Sequence, residues 1–153
     1  MVLHRKSERN GSSKVNIIRQ NTDYALRAMV HLAAHQGGPA VSTRVLAGQE
    51  GISSQFAAKI LQQLQDAHLV TSKMGPKGGF SLARDPADIS LLDVIHAMQG
   101  DVSLNRCMFS ADVCPRKPAC TISRRLEGLQ NYVEDYLAGV TLQELVSESC
   151  RDA

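Results

Sequence analysis

The chain has 153 residues, enough for one domain with its own core or for a compact domain with a helical appendage. Hydrophobic residues make up 43%, which excludes a disordered chain; aromatics are only 4% with no Trp, so the core is aliphatic and base-stacking platforms are not expected. The net charge of +2 is uneven, with +4 on residues 1–20, +1 on residues 21–90 and −3 on residues 91–153, a mild bias of the N-terminal part towards a polyanion.

No apolar run approaches the roughly 20 residues of a membrane helix. The opening "MVLHRKSERNGSSK" is basic but lacks the apolar stretch of a secretory signal. Both point to a cytoplasmic protein without a membrane partner. In that reducing setting, clustered cysteines more often hold metal or sense redox state than form structural disulfides.

Residues 1–15 are expected to be a flexible basic arm. From Asn21 the pattern is helical: Asn21 or Thr22 can cap, Asp23 falls in the first turn, and "DYALRAMVHLAAHQ" is apolar almost all round until "GGP" ends it. Ser42 is placed to cap a short second helix, "TRVLAGQE", closed by Gly51. Ser53 or Ser54 caps a third helix reaching about Ala67, with Ala57, Ile60, Leu61 and Leu64 on one stripe and Gln55, Lys59, Gln62 and Gln63 opposite. A short helix, a glycine turn and an amphipathic helix with a polar outer face make a helix-turn-helix candidate.

Two short strands follow, Leu69 to Ser72 and Gly79 to Ala83, around a "GPKGG" turn. A hairpin directly after a recognition helix is the wing of a winged helix. A further helix in "DPADISLLDVIHAMQG" turns Leu91, Leu92, Val94, Ile95 and Met98 to the core. The fold class is therefore mainly α with a small β-hairpin, a winged helix over residues 16–100. Residues 101–120 form a cysteine-rich loop. Residues 121–139 then give a long helix with Ile122, Leu126, Leu129, Val133 and Leu137 on one stripe, and 140–153 are taken as a tail. That stripe has little of this chain left to pack against, so a second copy is its expected cover.

The loop, "CMFSADVCPRKPAC", holds Cys107, Cys114 and Cys120 at C-x6-C-x5-C spacing beside Arg106, Arg116 and Lys117. Thiolates rather than thiols bind metal, and neighbouring cations favour them; Pro115 and Pro118 stiffen the loop. Disulfide, zinc clasp, thiol switch and iron–sulfur cluster all remain open on these residues. Zinc is the least favoured metal, because no C-x2–4-C knuckle is present. An enzyme is not expected, since no C-x2-C pair or nucleotide-binding glycine motif occurs.

At "TDYALRAM", "LQQLQDAHLV" and "GPKGGF", followed by three cysteines, the chain resembles the Rrf-two (Rrf2) family of winged-helix transcription regulators, from Asn16 to about Val146. "CPRKPAC", a helix and then "TLQELV" are most like its cluster-bearing branch, in particular the nitric-oxide-sensing repressors. The resemblance implies a homodimer on double-stranded DNA, regulated by a 4Fe–4S or 2Fe–2S cluster that senses nitric oxide, redox state or iron. The alternative is a cluster-free regulator of the same family, working by thiol oxidation or partner binding.

The implied cluster ligands are Cys107, Cys114, Cys120 and, from the partner subunit, Asp23. In a related branch a His three residues past the last Cys serves as the fourth ligand, but here that position is Ser123. Asp23 also suits the first turn of a helix with no metal at all. Expected DNA contacts are Ser53, Ser54, Gln55, Phe56 and Lys59 in the major groove, and Lys73, Lys77, Gly78 and Gly79 of the wing in the minor groove. Ser42, Thr43 and Arg44 are expected on phosphate. Met74 stands where the family wing usually carries Arg, and the basic arm lies outside the family pattern.

Overall fold

The structure is a computed structural model and describes residues 16–105, 108, 112 and 114–151. The basic arm and Cys107 lie outside the described residues. Helix α1 (Gln20–Ala34), α2 (Thr43–Glu50) and α3 (Ser54–Asp66) precede the antiparallel hairpin β1 (Val70–Lys73) and β2 (Gly79–Leu82). After a 3-10 turn at Pro86–Asp88 come α4 (Leu91–Gln99), α5 (Thr121–Gly139) and α6 (Leu142–Ser149). This is the winged-helix order expected from the sequence.

The start of α1 differs from the sequence reading. Neither Asn21 nor Thr22 is the cap: Arg19 holds that place and makes no side-chain cap hydrogen bond. The missing acceptor comes from a residue far along the chain, Gln99 at the end of α4. Its Oε1 accepts from the Arg19 N–H at 3.0 Å and from the Thr22 hydroxyl at 2.8 Å, and its Nε2 donates to the Ile17 carbonyl at 2.9 Å. Thr22 is thereby fully buried with its hydroxyl satisfied.

Helices α2 and α3 begin as expected. Ser42 accepts from the Val45 N–H and Ser53 from the Phe56 N–H, at 3.3 and 3.1 Å. Such caps contribute about 1 kcal/mol each. Gly51 closes α2 in the left-handed region at φ 63°. Ala57, Ile60, Leu61 and Leu64 of α3 are all buried. Each large aliphatic among them stabilises the fold by roughly 1.5–3 kcal/mol. The opposite face of α3 stays in solvent.

Ser90 and Asp93 form a reciprocal capping box on α4. Residues 140–153, taken from the sequence as a tail, include α6, which packs on α1 with Leu142 fully buried. A short β-bridge pins its start to the start of α4: the Leu91 N–H donates to the Val140 carbonyl and the Leu142 N–H to the Ile89 carbonyl, both at 2.9 Å. Helix α6 is therefore part of the winged-helix core.

Candidate nucleic-acid interface and cysteine loop

The wing and the start of α2 are one platform. β1 and β2 pair from Val70–Leu82 to Lys73–Gly79, and Val41 adds a bridge to Phe80 on the other edge. The Val41 N–H donates to the Phe80 carbonyl at 2.9 Å and the Phe80 N–H to the Val41 carbonyl at 2.8 Å. Ser42 follows at once, so the cap of α2 is tied directly to the wing. Gly79 allows this approach: a Cβ there would overlap the Val41 carbonyl and come within 2.9 Å of the Ser42 nitrogen. Gly78 turns back on itself, its N–H donating to the Gly75 carbonyl at 2.9 Å.

Of the expected DNA contacts, Ser53, Ser54, Gln55 and Lys59 are exposed along the start and outer face of α3. Arg44, Lys73 and Lys77 are exposed as well, while Ser42, Thr43, Gly78 and Gly79 are half-buried. Phe56 behaves differently: it is half-buried, with its ring edge-on to Tyr24 at 5.8 Å and joined to the core. Met74, in the usual arginine position, is 97% exposed at the wing tip.

A cleft of about 440 Å³ separates the wing from the last turn of α1 and is lined by His31, His35, Ser42, Val45, Gln49 and Lys77, among others. The two imidazoles lie 4.3 Å apart, and His35 Nδ1 is 2.8 Å from the His31 carbonyl, which makes it the protonated nitrogen. Burial, helped by His35, lowers the pKa of His31.

The cysteine loop is held at both ends by α5. On the entry side the carboxamide of Gln130 reaches back from mid-helix. Its Oε1 accepts from the Leu104 N–H at 2.9 Å, while its Nε2 donates to the Val102 carbonyl and, at 2.6 Å, to Glu134. On the exit side Cys120 is itself the N-cap of α5, its Sγ accepting from the Ser123 N–H at 3.4 Å. Cys114 and Cys120 are both half-buried and bracket a 3-10 turn at Lys117–Ala119. The Cys120 N–H closes that turn on the Lys117 carbonyl at 3.2 Å, and the Lys117 N–H donates to the Cys114 carbonyl at 3.1 Å just before it.

These two thiols, a stiff basic turn and an amide aimed at one sulfur suit a metal-bound thiolate pair. Among the described residues, no three His, Cys, Asp or Glu side chains converge on one point. Asp23 lies on the first turn of α1, about half-exposed, paired with Arg27 at 2.9 Å. Cys150 is exposed just beyond α6.

Helix α5 uses a polar edge, Ser123 and Gln130, against its own chain. Its apolar stripe is covered on one side only: Leu126, Val133 and Leu137 are partly buried, while Ile122 is 68% and Leu129 49% exposed. Tyr132 and Tyr136, at 68% and 61%, widen that face and were not part of the sequence reading. Their spacing of four residues beside the stripe was the available signal.

The Rrf2 family model, described as an iron-dependent transcriptional regulator, matches residues 18–148. IscR of Vibrio vulnificus, an HTH-type transcriptional regulator, is 31% identical over 126 residues, covering 82% of this chain and 74% of that protein. Among solved structures, T. potens IscR superposes with a TM-score of 0.68 at 28% identity, over 90% of this chain and 89% of that one. CymR, the global cysteine regulator of B. subtilis, shares the fold with a TM-score of 0.72 at 24% identity, over 88% and 98% of the two chains. The curated relative is a transcriptional regulator by name. With the helix-turn-helix, the wing and a family match running from α1 to α6, the chain belongs to the Rrf2 family of DNA-binding transcriptional regulators.

Proposed function

We propose that the protein is a homodimeric, cytoplasmic repressor whose operator affinity is set by an iron–sulfur cluster at the cysteine loop. The observation that carries this reading is the loop's construction: Cys114 and Cys120 bracket one basic turn, and both ends of the loop are anchored on a helix that exposes Ile122, Leu129, Tyr132 and Tyr136. Cys107, Cys114 and Cys120 would hold the cluster, with Asp23 of the partner subunit as fourth ligand. The cluster would supply a centre that reacts with nitric oxide and oxidants.

The chain's own residues do the rest. The stripe of α5 pairs two copies and brings the start of one α1 towards the loop of the other. The exposed N-terminal residues of α3 reach base edges in the major groove, while Lys73 and Lys77 flank a wing laid in the minor groove. Ser42, Thr43 and Arg44 hold a phosphate beside the wing. Phe56 serves mainly as the packing link between α3 and α1.

The test is operator affinity of the anaerobically loaded protein against the apo-protein. A difference of tenfold or more is expected, and equal affinities overturn the reading. The fold shared with CymR supports the rival, cluster-free reading, which predicts a colourless protein without iron after anaerobic purification. A Cys114→Ala variant is expected to lose the iron; full iron content would refute the ligand set.

A further inference from the structure

We propose that Gln99 and Gln130 form a two-point latch that couples the cysteine loop to the start of α1, making Gln99 a positioning residue of the switch. This rests on the reading that the loop controls operator affinity.

Gln130 grips the loop's entry strand through two backbone groups, the Val102 carbonyl and the Leu104 N–H, much as a neighbouring β-strand would. It is buried on a helix whose other side chains are mostly exposed. Only Gly100 and Asp101 separate that gripped strand from Gln99, the last residue of α4. Gln99 in turn holds three groups at the start of α1: the Ile17 carbonyl, the Arg19 N–H and the Thr22 hydroxyl. Displacement of the 101–105 segment therefore pulls on the residue that caps α1.

The latch cannot open part-way without consequence. Thr22 is completely buried, so losing Gln99 leaves its hydroxyl without the acceptor it has here. The first turn of α1 must then shift along with it, and that turn carries Asp23, the residue proposed to reach the other subunit's loop. Helix α4 also packs on both α1 and the recognition helix α3. One movement thus reaches the loop partner and the DNA-reading helix together.

The experiment compares wild type with Gln99→Leu, which keeps side-chain size and removes all three hydrogen bonds. Both proteins are loaded anaerobically with ferrous iron and sulfide. Iron content, absorption spectrum and affinity for a duplex selected by the wild-type chain from a random-sequence pool are then measured with and without cluster. The variant is expected to keep iron on the three cysteines but to show an altered absorption spectrum, because Asp23 is displaced, while its ratio of loaded to apo affinity falls at least tenfold. A ratio within twofold of wild type overturns the latch. A wild-type ratio of one removes the proposed function, and the latch with it. Should Gln99→Leu fail to fold, Gln99→Glu keeps the acceptor for Arg19 and Thr22 and loses only the donor to Ile17, so an intermediate ratio is expected; an unchanged one again overturns the latch. Hydrogen exchange at residues 16–22 of the wild type should slow on cluster loading, and identical exchange in both states refutes the coupling.

Discussion

Gly79→Ala probes the junction between wing and reading head most directly. An added Cβ would overlap the Val41 carbonyl and crowd the Ser42 nitrogen, all of it backbone that cannot rotate away. The φ of 155° is also a conformation that side chains with a Cβ rarely adopt. To make room, residue 41 must leave Phe80, losing the two backbone hydrogen bonds at 2.9 and 2.8 Å. Two such bonds are worth about 1–3 kcal/mol together, and the residual overpacking adds about 1–3 kcal/mol. A loss near 3 kcal/mol is expected, or a fall in Tm of about 6–12 °C for a chain of this size. Urea and thermal unfolding would measure it. Because Ser42 moves with Val41, operator affinity of the folded variant should also drop. Gly48→Ala, inside α2 with nothing near its added Cβ, is the control and should stabilise by about 0.5–1 kcal/mol. If Gly79→Ala costs less than about 0.5 kcal/mol, the close-approach reasoning fails.

Leu129→Glu should abolish self-association. A two-fold interface carries the change twice, so the loss of about 2 kcal/mol per Leu weakens the dimer roughly a thousandfold, as sedimentation equilibrium would show. His68 ends α3 in the left-handed region at φ 58°, where a non-glycine residue is strained by about 1–2 kcal/mol. His68→Gly should therefore raise stability in urea, and a loss would point to a role for the ring. The lowered pKa of His31 has a definite sign. Below the usual pKa of about 6.5 the unfolded chain takes up a proton that the fold resists, so stability falls as pH drops, while above it His31 contributes nothing. His31→Gln should flatten that acid loss between pH 7.5 and 5.5 in urea titrations.

Much of the DNA-binding half was legible because its signals are local. The caps at Ser42 and Ser53, the buried stripe of α3 and the glycine-rich hairpin each need only a few consecutive residues to declare themselves, and the strands shifted by one position at most. The beginning of α1 was not legible, since its capping group comes from Gln99, 80 residues on from Arg19. The place of Phe56 at the start of α3 was legible, whereas its edge contact with Tyr24 emerges only in the fold. Helix α6 was taken for a tail because its apolar residues have no partner until α1 is in place. Thr141 followed by Glu144 was the local clue, and Thr141 does cap the helix. Gln130 gave no signal at all: a glutamine within a solvated stretch of helix looks the same whether or not a distant backbone comes to meet it.

The double attachment of the cysteine loop to α5 has an evolutionary consequence. Fifteen residues separate Leu104 from Cys120, and both of those ends are fixed by one rigid helix. Closing a loop two residues longer between the same posts costs only about 0.1 kcal/mol more. Spacing between the first two cysteines can therefore drift, and with it the chemistry of whatever the loop holds, while α3 and the wing keep their geometry. The fold thus keeps the length of one loop independent of the geometry of the helix-turn-helix and wing, so that the loop can be refitted without rebuilding the DNA-binding scaffold.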